Sequence, residues 1–458
     1  MRTPLTVIFM LLSLLLSAQR CDWMAFTDCG AQMSTTQVCA DDRGNVFTGG
    51  QYQGEALFHS TAPVDSAIDK YTSTNWRKTF IARYDRRGKL CMVVQFRGDG
   101  SNSNSTYLEG MRALPNGNCL AFVMATGRVD FIDPKGNHIE TGNNGRGSNL
   151  FCIDTLGRLV WSVRAPIEHC RFMETVSGRT IFLFGNSQNT WSNDNLLLKY
   201  SAAGVPLDTM YTGGPDLMGM CLKGDRLYAI ASNSGFSSRA YSKSRLFEMP
   251  GGSMGLYSID TANLVPSQLF TCPVPMVQDY PKDRQVMFRA SVNYTSDVLY
   301  ADILVTDGGT VKFLGKTYPQ SNGNALIIRL DGKGEIVAST TFREHDYGCR
   351  ITPAPGGAVY ILLTAWGNAF HMGSDSLVLP ARGEYVYELV MMKLDAHFNR
   401  VWWCTAGGTD GIYESYIMAT GKHDELLVFA ELSAPCNVFG RQATIQWSRT
   451  SYVAKLEE

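Results

Sequence analysis

The stretch from Asn324 to Ser339, "NALIIRLDGKGEIVAS", decides how the whole sequence is interpreted. It contains an apolar segment, a short polar segment around Asp331 and Gly334, and a second apolar segment. An aspartate can accept hydrogen bonds from nearby turn amides, and glycine tolerates positive φ. The stretch therefore predicts a β-hairpin.

The same pattern recurs along the chain, as in "IARYDRRGKLCMV" around Asp85 and "LFCIDTLGRLVWSV" around Asp154. The six intervals between residue 85 and residue 457 average 62 residues. The residues at the turn position are called anchors here and are expected to be structural: Asp85, Asp154, Ser201, Asp260, Asp331, Asp395 and Glu457.

A second motif alternates with the anchors, and it consists of a turn followed by a β-branched or aromatic strand. Examples are "DDRGNVFTGG" and "PGGAVYILL". Two hairpins give about four strands per repeat, and a single four-stranded sheet cannot bury both of its faces. Radial stacking of such sheets predicts an all-β fold, a β-propeller of four-stranded antiparallel blades.

The order of the motifs at the two ends predicts how the ring closes. A turn motif at Gly44 precedes the first anchor, and almost nothing follows Glu457. We therefore expect six continuous blades and one split blade, in which the C-terminal strand completes the N-terminal blade. Closure also removes exposed sheet edges.

These repeats resemble the SBBP-type β-propeller repeats of exported bacterial proteins. Asp154, Gly157 and Trp161 match the first half of that pattern, and "GNVFTGG" from Gly44 matches the second. Ser201 and Asn263 depart from it. The resemblance implies a propeller and export from the cell, but no particular activity, because this fold supports many functions.

Residues 1–18 read as a secretory signal peptide, with an arginine, a short apolar run and small residues before the expected cleavage after Ala18. Residues 19–458 are then a single propeller domain in the periplasm, on the cell surface or outside the cell. Arg20 directly before Cys21 argues against lipidation. The mature chain is expected to be monomeric, with no transmembrane segment.

Composition excludes some functions. The net charge is −1, and there is no basic block that would bind nucleic acid. The seven histidines are scattered, so no metal or other cofactor is expected.

Two short motifs resemble catalytic loops: "GGSMG" from Gly251 resembles a nucleophile loop, and "TGNNGRGSN" from Thr141 resembles a phosphate loop. Both lack the helix that such chemistry needs, and we expect no catalytic residue.

The 12 cysteines all follow the predicted cleavage site, where disulfides are plausible. Two local pairs are expected, Cys91 with Cys119 and Cys152 with Cys170. His169 directly precedes Cys170. We interpret these two neighbouring residues as buried for structural reasons.

Tryptophans are the main candidates for recognition. Trp161, Trp402 and Trp403 are expected to pack between blades. Trp76, Trp191 and Trp366 lie in or near polar connecting segments and are the candidate binding residues. The two longest inserts, Thr61–Lys78 and Pro273–Arg289, are the favoured binding loops.

The sequence thus predicts a non-catalytic binding or scaffold module whose partner is an envelope protein or a glycan. One alternative is a glycan-active hydrolase or lyase that uses paired carboxylates near the ring axis. Another is a periplasmic assembly factor that resembles PQQ-like propellers.

Overall fold

The computed structural model describes residues 20–29, 32–59, 66–68, 77–98, 105–125, 127–141, 147–187, 195–213, 216–233, 251–277, 288–295, 298–306, 310–318, 325–343, 350–365, 369–379, 387–409, 416–419, 426–432, 436–438, 441–443 and 449–457. These residues are almost all in β-strands, with one 3-10 turn at Pro355–Gly357. No helix in these ranges is long and apolar enough to cross a bilayer.

The first thirteen strands cover the N-terminal third of the chain. Their bounds are β1 (Arg20–Cys29), β2 (Gln32–Ala40), β3 (Val46–Gln53), β4 (Ala56–His59), β5 (Ser66–Ile68), β6 (Lys78–Tyr84), β7 (Leu90–Gly98), β8 (Thr106–Ala113), β9 (Cys119–Ala125), β10 (Val129–Ile132), β11 (His138–Thr141), β12 (Gly147–Ile153) and β13 (Leu159–Ala165).

The next fifteen strands cover the middle of the chain. They are β14 (Ile167–Val176), β15 (Thr180–Ser187), β16 (Asn195–Ser201), β17 (Pro206–Gly213), β18 (Asp216–Lys223), β19 (Arg226–Asn233), β20 (Ser253–Asp260), β21 (Pro266–Pro273), β22 (Met276–Val277), β23 (Phe288–Thr295), β24 (Val298–Thr306), β25 (Val311–Phe313), β26 (Lys316–Tyr318), β27 (Ala325–Asp331) and β28 (Ile336–Arg343).

The remaining strands end near the C-terminus. They are β29 (Arg350–Pro353), β30 (Val359–Ala365), β31 (Ala369–Met372), β32 (Asp375–Val378), β33 (Tyr387–Leu394), β34 (Arg400–Thr409), β35 (Tyr416–Ala419), β36 (Leu426–Leu432), β37 (Cys436–Val438), β38 (Arg441–Ala443) and β39 (Arg449–Glu457).

Seven antiparallel blades form the ring, which confirms the predicted fold. We call the four strands of each blade a to d, from the axis outwards. Blades 1 to 6 are β2-β3-β6-β7, β8-β9-β12-β13, β14-β15-β16-β17, β18-β19-β20-β21, β23-β24-β27-β28 and β29-β30-β33-β34, and blade 7 is β35-β36-β39-β1.

The split blade closes the ring as expected, because β1 pairs with β39 from Arg20↔Glu457 to Cys29↔Arg449. The division of this blade differs from the predicted one, in which a single C-terminal strand completes an otherwise N-terminal blade. Strands a, b and c come from the C-terminal part of the chain, and β1 supplies strand d.

Inserted hairpins, which the repeat pattern did not predict, extend three of the blades. Each lies in the connection between strands b and c of one blade and pairs with strand d of the preceding blade. β4–β5 of blade 1 adds to β1, β10–β11 of blade 2 adds to β7, and β31–β32 of blade 6 adds to β28. These hairpins therefore link consecutive blades through main-chain hydrogen bonds.

The core is divided into apolar clusters that lie between blades. In the described ranges there is one cluster for each of the seven pairs of consecutive blades. Trp161 packs in the cluster between blades 2 and 3, and Trp402 packs in the one between blades 6 and 7. Trp403 contacts Phe370, with ring centroids 6.1 Å apart. Each sheet thus buries its two faces against its neighbours.

In blades 1, 2, 3, 4 and 6 the turn between strands c and d receives a hydrogen bond from the preceding blade. The donor is an indole or a cationic side chain, and the acceptor is the main-chain oxygen one or two residues after the anchor. The pairs are Trp23 to Arg86 at 3.1 Å, Arg83 to Thr155 at 3.2 Å, Trp161 to Ala202 at 3.0 Å, Lys199 to Ala262 at 2.8 Å and Arg329 to Ala396 at 3.0 Å.

Arg329 makes the most extensive of these links. Its side chain is fully buried, and its Nε and Nη2 donate to Asp302 Oδ1 and Oδ2 at 2.7 and 2.9 Å. Its Nη1 donates to the main-chain oxygens of Gly357 and Ala396 in blade 6. Burial raises the pKa of Asp302, although the hydrogen bonds and charge of Arg329 oppose that effect. The pair joins blades 5 and 6.

The structure does not show the two expected disulfides, and Cys91, Cys119, Cys152 and Cys170 are all free thiols in it. Cys91 is exposed on β7, whereas Cys119 is buried between blades 1 and 2. Cys152 and Cys170 both border the interface between blades 2 and 3 without bonding. For Cys91 and Cys119, nearness in sequence is a poor guide because side chains alternate between the two faces of a strand.

Candidate functional site on the inner wall

The a strands of the seven blades form a closed inner wall, since each contacts the a strands of both neighbouring blades. In blades 1 to 4 these strands carry β-bulges. Register shifts occur between Thr35 and Gln37, between Leu108 and Gly110, and between Leu217 and Gly219, and β14 has two. A bulge redirects a side chain and is often found beside a functional site.

Glu109, the bulged residue of β8, connects three blades. Its Oε1 lies 2.6 Å from His169 Nδ1, and its Oε2 accepts a hydrogen bond from the main-chain N of Cys170 at 2.8 Å. Its main-chain oxygen accepts a hydrogen bond from Gln37 Nε2 at 3.1 Å. The a strands of blades 1, 2 and 3 are therefore joined through one residue.

His169 is the accessible part of this arrangement. Its side chain is 50% exposed, whereas that of Glu109 is 18% exposed. A carboxylate at Nδ1 holds the imidazole in one orientation and favours the tautomer that is protonated at Nδ1. His169 Nε2 is then the atom that can accept a hydrogen bond from a ligand, and it becomes a donor when the ring is protonated.

A second ion pair lies further along the same two strands. Arg112 Nε donates to the main-chain oxygen of Met173 at 3.0 Å, and Arg112 Nη2 pairs with Glu174 Oε1. The charge of Glu174 raises the pKa of Arg112, so the guanidinium stays protonated. This pair, together with Glu109 and His169, gives the wall between blades 2 and 3 both charges at fixed positions.

Cys170, which follows His169, has a different environment. His169 is exposed while Cys170 is buried, because adjacent residues of a strand face opposite sides. Burial raises the pKa of the Cys170 thiol, and the nearby charge of Glu109 raises it further. A thiol of this kind stays protonated at neutral pH and is a poor nucleophile. The histidine and cysteine do not form a catalytic pair.

The three predicted binding tryptophans, Trp76, Trp191 and Trp366, lie outside the described residues. Most of the two predicted binding inserts, Thr61–Lys78 and Pro273–Arg289, also lies outside them. The structure therefore tests none of these positions.

Six of the seven anchors lie at the turns between strands c and d, whereas Glu457 ends strand c of blade 7 and pairs with Arg20 of β1. Oδ1 of Asp85 accepts main-chain hydrogen bonds from Arg87 and Lys89 at 2.8 and 3.0 Å, and Asp154, Asp331 and Asp395 repeat this geometry. Asp260 bonds Ala262 at 2.8 Å and Asn263 at 3.3 Å. The Ser201 hydroxyl accepts the Val205 amide at 3.1 Å.

The two motifs that resemble catalytic loops are parts of blades. Ser253 of "GGSMG" is the buried first residue of β20, so a strand follows it in place of a helix. The described ends of "TGNNGRGSN" belong to β11 and β12. Among the described residues, no three His, Cys, Asp or Glu side chains gather in a way that could hold a metal ion.

The sequence matches no known family profile and no curated protein. Similar solved structures include "Structure of Dos1 propeller", 9% identical over 96% of both chains with a TM-score of 0.43. The β-propeller domain of the Trilobed protease from Pyrococcus furiosus is 10% identical over 81% of this chain and 92% of its own, with a TM-score of 0.40. The C-terminal WD40 domain of Sif2 is 10% identical over 93% and 97%, with a TM-score of 0.39.

These similarities concern the fold and say nothing about activity. The strand topology defines the chain as a seven-bladed β-propeller. The SBBP repeat type and the bacterial origin stay predictions.

Proposed function

We propose that this chain is an exported, non-catalytic β-propeller that binds an envelope protein or a glycan at its inner wall. The observation that carries the proposal is the half-exposed His169, which Glu109 holds in one orientation across blades 2 and 3. A fixed polar group on a rigid scaffold loses little entropy when a ligand binds, which favours recognition. Export is supported by the signal-like residues 1–18.

The same contacts favour binding over catalysis. The glycan-active alternative needs two carboxylates that face a common opening at roughly 5–10 Å, one as acid and one as base or nucleophile. Glu109 is held by His169 and a main-chain amide, and Glu174 is held by Arg112. Carboxylates occupied in this way stabilise the wall and are poorly placed to act on a substrate.

The structure provides a matched control for this site. His138 on β11 also places Nδ1 against a carboxylate, Asp130 Oδ2, at 2.5 Å. Its side chain is 56% exposed, close to the 50% of His169. The pair lies on the inserted hairpin β10–β11, at the edge of a blade and away from the inner wall. Replacing His138 therefore changes the same chemistry at a different place.

The test begins with tagged mature protein incubated with a cell-envelope extract of the producing organism, followed by mass spectrometry of bound proteins and released glycans. The captured component is then purified and titrated against wild type, His169→Ala and His138→Ala. We expect about tenfold weaker binding for His169→Ala, equivalent to one lost hydrogen bond, and less than about twofold for His138→Ala. Equal affinity of all three proteins would place the site elsewhere.

Export is tested separately by cell fractionation. The full chain should be recovered outside the cytoplasm, and a chain that lacks residues 1–18 should remain inside. Cytoplasmic recovery of both forms would contradict export but leave the inner-wall site untouched.

A further inference from the structure

Two buried thiols meet between blades 1 and 2. Cys39 lies on β2 and Cys119 is the first residue of β9, with exposed fractions of 1% and 0%. Both belong to the same apolar cluster between the two blades. Cys39 lies close enough to Cys119 to raise the pKa of its thiol, and Cys119 Sγ itself donates a hydrogen bond to the main-chain oxygen of Leu120 at 3.5 Å. Two residues that are 80 positions apart in sequence are therefore neighbours in the same interface.

The register explains why these two cysteines meet. Cys39 lies two residues before the a–b turn that starts at Asp41, and Cys119 directly follows the a–b turn that starts at Leu114. The a–b turns lie at the same end of every blade, so both cysteines stand at the same height in the ring. Two thiols at the same height in one interface cluster are placed where a disulfide could join the blades.

A third cysteine, Cys152, is close but faces away. It lies on β12, next to β9, and packs in the cluster between blades 2 and 3. Its Sγ accepts a hydrogen bond from Asn118 Nδ2 at 3.8 Å. Cys119 is in the cluster on the other face of the same sheet. The interface therefore selects Cys39 as the partner of Cys119.

We propose that Cys39 and Cys119 are oxidised to an inter-blade disulfide when the chain folds in an oxidising compartment, and this inference rests on the proposed export. The oxidant is a low-molecular-weight disulfide such as glutathione disulfide. One cysteine thiolate attacks it and releases one glutathione, and the second cysteine then displaces the other. Two thiol protons and two electrons leave the protein, and two reduced glutathiones form.

The bond forms while the blades assemble. Burial raises the pKa of the Cys119 thiol well above its ordinary value of 9.0, with a further increase from Cys39 and Cys152. The thiolate is therefore scarce once the interface has closed, and exchange in the folded protein is slow. The crosslink closes a loop of about 80 residues, and restricting the unfolded chain in this way stabilises the fold.

The experiment refolds the mature chain from denaturant, once with dithiothreitol and once with a mixture of reduced and oxidised glutathione. Non-reducing peptide mapping identifies the bonds. We expect the peptide containing Cys39 joined to the peptide containing Cys119 as the main crosslink, and a higher Tm in the oxidised sample. Cys39→Ser and Cys119→Ser should fold and should lack both the crosslink and the difference in Tm.

The exposed Cys91 provides an internal control for the reagent. Glutathione attached to Cys91, without the Cys39–Cys119 crosslink in a folded sample, would overturn the proposal. A crosslink from Cys119 to Cys152 as the main product would also overturn it. Because purified protein is used, either result is independent of whether the chain is exported.

Discussion

The indole ring of Trp161 in blade 2 lies directly over Gly204 in the c–d turn of blade 3. A Cβ atom added to Gly204 would lie 2.7 Å from the ring. Trp23 of blade 7 covers Gly88 of blade 1 at the same distance. In both cases the indole N–H donates to the same turn. Glycine is therefore required at this turn position for two reasons: the backbone has a positive φ, and the indole of the neighbouring blade leaves no room for a Cβ atom.

Replacing Gly204 with alanine tests this double requirement. Gly136 is the matched control, because it has a φ of 83° and no atom within 4 Å of an added Cβ. Gly136→Ala should cost about 1–2 kcal/mol from backbone strain alone. Gly204→Ala should cost roughly 2–5 kcal/mol, since overpacking against Trp161 is added. Denaturant unfolding measures both changes, and equal losses would contradict the contact.

The buried pair of Arg329 and Asp302 should be sensitive to loss of one partner. Asp302→Ala leaves a buried guanidinium without its carboxylate, and we expect a loss of about 3–5 kcal/mol. Asp375→Ala removes the carboxylate of a partly exposed pair with Arg400, 3.2 Å apart, and should cost less than about 1 kcal/mol. Unfolding curves measure both. Similar losses would show that Asp302 is less important for blade packing than its burial indicates.

The anchor turns should make stability depend on acid pH. Burial alone would raise the pKa of Asp395, but hydrogen bonds from Asn399 and His397 outweigh it and lower the pKa below its ordinary value of 3.8. The turn therefore contributes stability above that value and loses it as the pH falls through the lower folded pKa. The difference in Tm between wild type and Asp395→Ala should shrink as the pH falls below the ordinary value.

Ser201 is the control for that experiment, because its hydroxyl makes the equivalent bond to the Val205 amide and does not titrate in this range. The effect of Ser201→Ala should stay constant over the same pH range. A difference for Asp395→Ala that does not change with pH would argue against a carboxylate-stabilised turn.

Thiol reactivity should divide the cysteines by burial. Burial raises the pKa of Cys221, Cys272 and Cys404 to about 12 in each case. A short pulse of iodoacetamide at neutral pH should label Cys91, which is exposed, and leave these three unmodified. Peptide mapping identifies the labelled sites. Labelling of Cys404 at the rate of Cys91 would show that the interface between blades 6 and 7 opens readily.

The fold was largely predictable because each blade is specified by short-range patterns. The anchors and the a–b turns occur within hairpins, so their order alone gave the seven blades and the pairing of the chain ends. The inserted hairpins were missed because β4, β10 and β31 are only four residues long and pair with a strand of another blade.

The candidate site was much less predictable. Glu109 and His169 are 60 residues apart and meet because their blades are neighbours. A bulge at Glu109 directs its carboxylate, and no local pattern marked that position. The one available signal was His169 beside Cys170, and that juxtaposition did not reveal Glu109 as the partner. The expected local disulfides are not shown either, and the cysteine that lies near Cys119 is Cys39 in the preceding blade.

The pairing of β1 with β39 has a consequence for the order in which the molecule folds. Blade 7 needs residues from both Arg20–Cys29 and Arg449–Glu457, so its sheet cannot be completed until the chain between them has been made. Contacts this distant in sequence delay folding, because the entropy of a long loop is lost before the contact forms. During synthesis β1 cannot take its place in blade 7 until β39 has been made. The six continuous blades can assemble as an open arc before the ring closes.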